Sequence, residues 1–277
     1  MITVSTSIVT YYPEQAEFEH VIAHLASAVE RARDSLETIL GGVSLTIVDN
    51  SCNSAAFECI QRCVKDHQAG FGGNVSALKS STNTGFGAGH NVAIAKAEST
   101  YHLVLNPDVL LKPDALEGAI RFMQDNADVG MLAPRVFTPE GSQSYLCRRY
   151  PSVFDLILRG FAPCRLKRRF RKRLDHYEMR DVTQSEPVLD IPIASGCFML
   201  FRTELLRRLG GFDERYFLYF EDYDICMRMH GIASIAYVPS VDITHSGGNT
   251  AGKGSRHIAI FVTSAVRFFS RWGWKWW

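Results

Sequence analysis

Ile2–Thr10 (ITVSTSIVT) and Val43–Val48 (VSLTIV) are two β-branched runs. They are separated by Glu14–Leu40, in which Phe18, Val21, Ile22, Leu25, Val29, Leu36 and Ile39 recur at helical spacing. Pro13 lacks an N–H and biases Tyr12 toward extended angles, so the first strand ends at Thr10-Tyr11-Tyr12. Gly41-Gly42 stops the helix, and Val43–Val48 has the continuous apolar character of a strand covered on both faces. Asp49-Asn50-Ser51 follows, and a second helix starts after Asn53 or Ser54. This βαβα opening predicts an α/β fold with a mainly parallel central sheet flanked by helices. In such sheets ligands bind at the carboxyl ends of the strands.

Working outward, those ends carry the candidate ligands. Asp49 suits an acceptor for the imide N–H of uracil or thymine, which cytosine lacks; the same residue type also closes Asx-turns, and both readings stand. A third strand, Val75–Ser80, leads into Asn83-Thr84-Gly85-Phe86-Gly87-Ala88-Gly89-His90-Asn91, and Val92–Ala97 continues as a helix. Glycines allow close backbone approach to a ligand, and a helix N-terminus favours phosphate or sugar oxygens. Gly-x-Gly-x-Gly with Asp108 beyond it imitates a dinucleotide fingerprint. The last glycine is one residue early, however, and the motif follows the third strand rather than the first. The fourth strand, Tyr101–Leu105, ends in Asn106-Pro107-Asp108; a helix over Asp114–Asn126 and a strand over Val129–Ala133 follow.

The most distinctive stretch is Gly196–Met229, GCFMLFRTELLRRLGGFDERYFLYFEDYDICMRM. It reads as a strand (Phe198–Phe201), a short helix with Thr203 as N-cap, a Gly210-Gly211 stop and an aromatic loop. Glu221-Asp222-Tyr223-Asp224 then opens a further helix. Acids in a first turn favour the helix dipole. Capping accounts for one or two of them but not for the surrounding Phe212, Tyr216, Phe217, Tyr219 and Phe220. A general base beside a sugar-binding wall accounts for both. Ala233–Val238 and Val241–Thr244 are strands, followed by His245-Ser246-Gly247-Gly248-Asn249; Lys253 and Arg256 lie in a glycine-rich loop expected to close over an anionic ligand.

In GCFMLFR, GGFDERYFLYFEDYDICMR and the later His245, the chain resembles family 2 inverting glycosyltransferases of GT-A fold, rhamnosyltransferase-like members above all. The likeness covers nearly the whole chain except residues 140–187. It implies transfer of a sugar from a nucleoside diphosphate sugar, dTDP-rhamnose by preference, to a hydroxyl of a lipid-linked or cell-surface saccharide. A UDP-sugar such as galactofuranose or a hexose is the alternative donor. It further implies the nucleoside between Thr10-Tyr11 and Asp49, with Asn83, Gly85, Phe86, Gly87, Asn91, Asn106 and Lys253 around the donor. Asp108 and His245 would hold Mg²⁺ or Mn²⁺, although Asn106 stands where the family commonly has another acid. Asp222 would be the base, with Glu221, Tyr219 and Asp224 on the acceptor side and Asp224 one helical turn from Arg228. A nucleotidyltransferase would place a basic, glycine-rich signature after the first strand, where Tyr11-Tyr12-Pro13 stands; a non-catalytic sugar-binding module would not need the acids.

Composition agrees with a globular enzyme: 277 residues, 46% hydrophobic, 30 Lys+Arg against 29 Asp+Glu, net charge +1. That balance gives no reason to expect nucleic acid as a partner. Seven cysteines without a CxxC pair argue against a disulfide framework, and MITVSTSIVT lacks the marks of a secretory signal. Residues 1–135 read as the nucleotide-sugar half, 136–187 as a basic insertion, 188–254 as the acceptor half and 255–277 as a C-terminal aromatic helix. Arg165–Arg173 packs seven cations into nine residues, and Phe268–Trp277 gathers four tryptophans with Arg271 and Lys275. Either a solvated face and an interdomain contact, or attachment to an anionic membrane surface, fits them. The expected location is the cytoplasm, peripheral to the inner face of the membrane.

Overall fold

A computed structural model describes residues 1–247 and 254–277. In chain order the elements are β1 (Ile2–Thr10), α1 (Gln15–Ser35), β2 (Leu40–Asp49), α2 (Ser54–His67), β3 (Val75–Lys79), α3 (Phe86–Ile94), β4 (Tyr101–Leu105) and β5 (Val109–Leu111). There follow α4 (Ala115–Asp125), β6 (Val129–Phe137), β7 (Gln143–Ser144), α5 (Val153–Phe161), α6 (Cys164–Arg169) and α7 (Arg171–Tyr177). The chain closes with β8 (Phe198–Arg202), α8 (Thr203–Arg208), α9 (Glu221–Met229), β9 (Ser234–His245) and α10 (Ser255–Trp272).

These strands form one mixed sheet in the order β3-β2-β1-β4-β8-β6-β9-β5, with β7 on β6. The strands β1 to β4 run parallel, as the βαβα opening requires, and β8 enters antiparallel between β4 and β6. Side chains alternate between two cores at the strand period of two. Leu103, Leu105, Phe198 and Leu200 face α1, α2 and α4, whereas Val104, Met199 and Phe201 face α3, α8, α9 and α10. The resulting three layers bury both faces of the sheet, so its strands need little polar content.

Local chemistry moves several boundaries. Glu14 caps α1 by accepting from the N–H of Glu17 (2.7 Å), and the helix ends before Gly41-Gly42, which belong to β2. Tyr12 takes φ 51 instead of extended angles, turning the chain sharply between β1 and α1. The helix expected from Val92 begins at Phe86, because Gly85 at φ 89 makes the turn that opens it. Thr203 is the first residue of α8 rather than its cap, with its hydroxyl toward Ser99 (3.3 Å). The strands expected at Ala233–Val238 and Val241–Thr244 join into β9, which absorbs the interruption as a register shift against Pro134 and Arg135. The basic stretch is folded as α6 and α7, and Arg173 turns inward to Asp155 (2.6 Å).

Beneath the sheet–α3 seam lies a buried chain of hydrogen bonds. His90 Nδ1 meets Ser7 Oγ (2.7 Å), which meets His102 Nε2 (2.8 Å); His102 Nδ1 meets Ser5 Oγ (2.7 Å), and Ser5 meets Ser99 (2.6 Å). Burial lowers both imidazoles, His102 to about 4 from 6.5, because a charged ring there would lose its hydration. A lowered folded pKa means the unfolded chain binds more protons below pH 6.5. Stability is therefore full above 6.5 and lost as pH falls toward 4, by about 3 kcal/mol for His102 alone. Denaturant titrations across that window should show the loss in the wild type and a flatter profile in His102→Gln; identical slopes would refute the assignment.

Candidate active site

The first wall of the site follows from strand register. Antiparallel pairing of Val109 with His245 sets the end of β9 beside the start of β5, bringing His245 Nε2 to 3.2 Å from Asp108 Oδ1. Gly247 stands over the pair: a Cβ there would fall 2.2 Å from Asp108 Oδ2 and 3.2 Å from His245 Nε2. Asn106 bonds its N–H to the Cys197 carbonyl (2.9 Å), and its Oδ1 is buried without a hydrogen-bond partner among the described residues.

The second wall is the start of α9. Tyr219 (φ 69) and Phe220 (φ 66) both sit in the left-handed region, which for bulky residues costs on the order of 1–3 kcal/mol each. That turn sets Asp222 against Gly196, whose N–H donates to Asp222 Oδ2 (3.1 Å), while the Tyr223 N–H donates to Oδ1 (2.9 Å). Two backbone donors do not offset desolvation, and the Asp222 carboxyl is pushed up to about 6. Burial and the neighbouring Asp222 raise Glu221 further above its ordinary range, and its Oε2 has no hydrogen-bond partner among the described residues. Asp224 points away to α10: it accepts from Arg228 (2.7 Å) and Trp272 (3.0 Å) and pairs with Arg271 (3.0 Å). It is an anchor, not part of the acceptor wall.

Both walls meet in one cleft of about 530 Å³, lined by Tyr219, Glu221, Asp222, His245 and Gly247 among others. Cys197, fully buried between them, is pushed up to about 12 by burial first, then by the charges of Asp108 and Asp222 together. Asp222 and His245 thus line one cavity, and Asp108 reaches it through His245, 3.2 Å away, rather than lining it.

The glycine-rich segment packs closely against the aromatic loop. Asn83 Oδ1 accepts from Gly85 (3.0 Å), and the Phe86 N–H donates to the Phe217 carbonyl (3.0 Å). A Cβ on Gly87 would lie 2.7 Å from Phe212 Cβ, and Asn91 clamps the Phe212 backbone from both sides (2.8 and 2.9 Å). Gly87 and Asn91, expected around the donor, thus hold the aromatic loop. The Phe86 ring reaches Gly196, beside Asp222. At the strand ends Thr10 lies opposite Asp49 and donates to it weakly (3.4 Å). The buried Asp49 carboxylate also accepts from the Ser51 N–H (2.9 Å) and hydroxyl (2.7 Å), which is the Asx-turn. Tyr11 is exposed at the same edge. Lys253 lies outside the described residues.

Sequence reasoning passed over Arg148, Arg159, Tyr223 and Phe261, which also line the cleft. Arg148 is a buried cation that donates to the Cys147 carbonyl (2.8 Å) and lies 5.8 Å from the Tyr177 ring centroid. Its signal, a double arginine before an aromatic and a proline, fell in the stretch without a family counterpart.

The sequence profile of glycosyl transferase family 2 matches residues 45–210, from within β2 to the end of the α8 segment. An N-acetylglucosaminyl-diphospho-decaprenol L-rhamnosyltransferase of Mycobacterium tuberculosis is 27% identical over 97% of this chain and 84% of its own length. The rhamnosyltransferase WbbL of Escherichia coli K12 is 30% identical over 58% of this chain and 60% of its own. Among solved structures, GalNAc-T7 with UDP, GalNAc and Mn²⁺ superposes with a TM-score of 0.66 at 14% identity; the match covers 98% of this chain and about half (48%) of that one. Among the described residues no helix is long and apolar enough to cross a membrane. A GT-A sheet, a profile match over more than half the chain and rhamnosyltransferase relatives converge: the chain belongs to glycosyl transferase family 2 and is a glycosyltransferase.

Proposed function

We propose that the protein transfers rhamnose from dTDP-rhamnose, with inversion, to a hydroxyl of a lipid-linked saccharide. The observation that carries this reading is the single cleft lined by Asp222 and by His245, with Asp108 directly behind His245. Asp222 takes the acceptor's proton as its oxygen attacks the anomeric carbon. A carboxylate with a pKa near 6 is still ionised at neutral pH yet more basic than a solvated one. Burial and the neighbouring Asp222 raise Glu221 as well, so the adjacent pair resists carrying two negative charges at once. Tyr11 stacks on the base, and the Thr10–Asp49 edge meets its imide, which accommodates thymine and uracil alike.

Asp108 and His245 fit a divalent cation: a carboxylate and an imidazole side by side, over which Gly247 leaves room. An imidazole donor favours Mn²⁺ over Mg²⁺. Such an ion would stabilise charge on the departing diphosphate. Asn106 Oδ1, buried without a hydrogen-bond partner among the described residues, supports a donor contact at the same strand end. The acceptor preference follows the mycobacterial relative's name. A UDP-sugar remains the alternative donor, because nothing at the base edge rejects uracil.

Contact with a membrane belongs to the same proposal. Trp276 and Trp277 are 67% and 65% exposed beside Lys275, while α10 also exposes Val262 and Val266. The tail's carbonyls at Lys275 and Trp276 accept from the start of α5 (2.8 and 3.2 Å), fixing those rings in place.

Four measurements follow. Asp222→Asn should lower kcat by about 10³-fold while dTDP-rhamnose binding by calorimetry survives. In the wild type kcat/KM should climb with pH through about 6 and then level, since only the ionised form accepts the proton; unchanged turnover or a flat profile removes Asp222 from the role. Asp108→Ala should abolish the Mn²⁺-dependent part of donor binding, and EDTA-indifferent binding in the wild type would contradict the metal site. Co-sedimentation with phosphatidylglycerol vesicles should fall when residues 274–277 are removed, and undiminished binding would exclude the tail as the contact.

A further inference from the structure

The cleft continues past Asp222. Arg159 of α5 lines it and also lines a second cavity of about 410 Å³, together with Lys167, Arg168, Arg171 and Arg180. These five cations meet two acids there, Asp175 and Glu178. The acids are shared among Arg159 (3.1 Å), Arg171 (3.6 Å) and Arg180 (2.7 and 3.3 Å), whereas Lys167 and Arg168 have no acidic partner among the described residues. An unbalanced cationic hollow is stable only where water or an anion answers it, and guanidinium forks match phosphate oxygens in geometry. A nucleic acid would want an extended basic stripe, and the chain as a whole carries only +1.

Exposed apolar side chains stand on two of the helices that frame the hollow. Phe161, 49% exposed at the end of α5, places its ring 6.5 Å from that of Phe261, a lining residue of the cleft. Leu166 on α6 is 40% exposed beside Lys167. The surface thus offers a sugar-sized cleft, an anion hollow joined to it at Arg159, and exposed apolar side chains on the same helices. That combination is the complement of a saccharide joined through a diphosphate to a hydrocarbon. We infer that the α5–α7 hollow binds the diphosphate of the lipid-linked acceptor, with Arg159 at the junction and the hydrocarbon leaving over Phe161 and Leu166. The inference rests on Asp222 as the base, since that fixes which end of the acceptor enters the cleft.

The test uses the full chain and two acceptor probes bearing the same sugar: N-acetylglucosamine linked through diphosphate to farnesol, and octyl N-acetylglucosaminide, which has no phosphate. In Lys167→Gln/Arg168→Gln/Arg171→Gln the KM for the diphosphate probe should rise by about tenfold or more relative to that for the neutral one. Calorimetric binding of the diphosphate probe without donor should weaken in parallel. A variant that loses both acceptors equally, or neither, overturns the assignment. So does one that loses phosphatidylglycerol vesicle binding while the KM ratio stays put, which would make the hollow a membrane contact. If dTDP-rhamnose supports no transfer to either probe, the donor reading fails, and the calorimetric comparison still decides the hollow.

Discussion

The backbone hydrogen bond from Phe86 to Phe217 (3.0 Å) is the contact on which the arrangement depends. It joins the start of α3, in the N-terminal half, to the aromatic loop that delivers the acids. The approach is possible only because Gly85 has no side chain: a Cβ there would fall 2.0 Å from the Phe217 carbonyl oxygen. The same economy recurs along the seam. A Cβ at Gly211 would fall 2.3 Å from Asn91 Oδ1, and one at Gly89 would fall 2.8 Å from Val9 Cγ2. Bringing two main chains together over so short a span draws Glu221 and Asp222 toward the ends of β1, β2 and β4. The glycines after the third strand thus shape the cavity from behind.

The electrostatics follow from that closeness. Glu221 and Asp222 are adjacent, shielded and served by few donors, so both rise above the usual carboxylate range. Asp224, two residues further on, is equally buried but is met by Arg228, Arg271 and Trp272. The same residue type at one end of a helix thus does two jobs, set by what the next layer supplies.

Much of this was legible beforehand. Periods of two and 3.6 in β1, α1 and β2 foretold the parallel half, because alternating burial leaves its mark on composition. The acid cluster stood out because charge beside aromatics is costly without a purpose. The function of Gly87 and Asn91 was not legible, since a glycine that admits a ligand and one that admits a phenylalanine look alike in one dimension. Arg148 was hidden for a different reason: its place in the cleft depends on the long-range bridge between Arg148 and Ile193, which no local pattern announces. Tyr12 adopted a conformation that its proline neighbour disfavours, because the turn into a capped helix outweighed a local preference.

The division of labour between sheet and insertion bears on how such an enzyme diversifies. Asp224 is wired to three donors on two helices, and the glycine seam tolerates no added atom, so drift at either would be purged with the fold. Helices α6 and α7 are tied down at fewer points: Arg173 reaches Asp155 (2.6 Å), and Tyr177 is the only buried residue of either. On the inference that the α5–α7 hollow meets the acceptor, changing a few solvent-facing positions there alters acceptor recognition without touching the residues around Asp222.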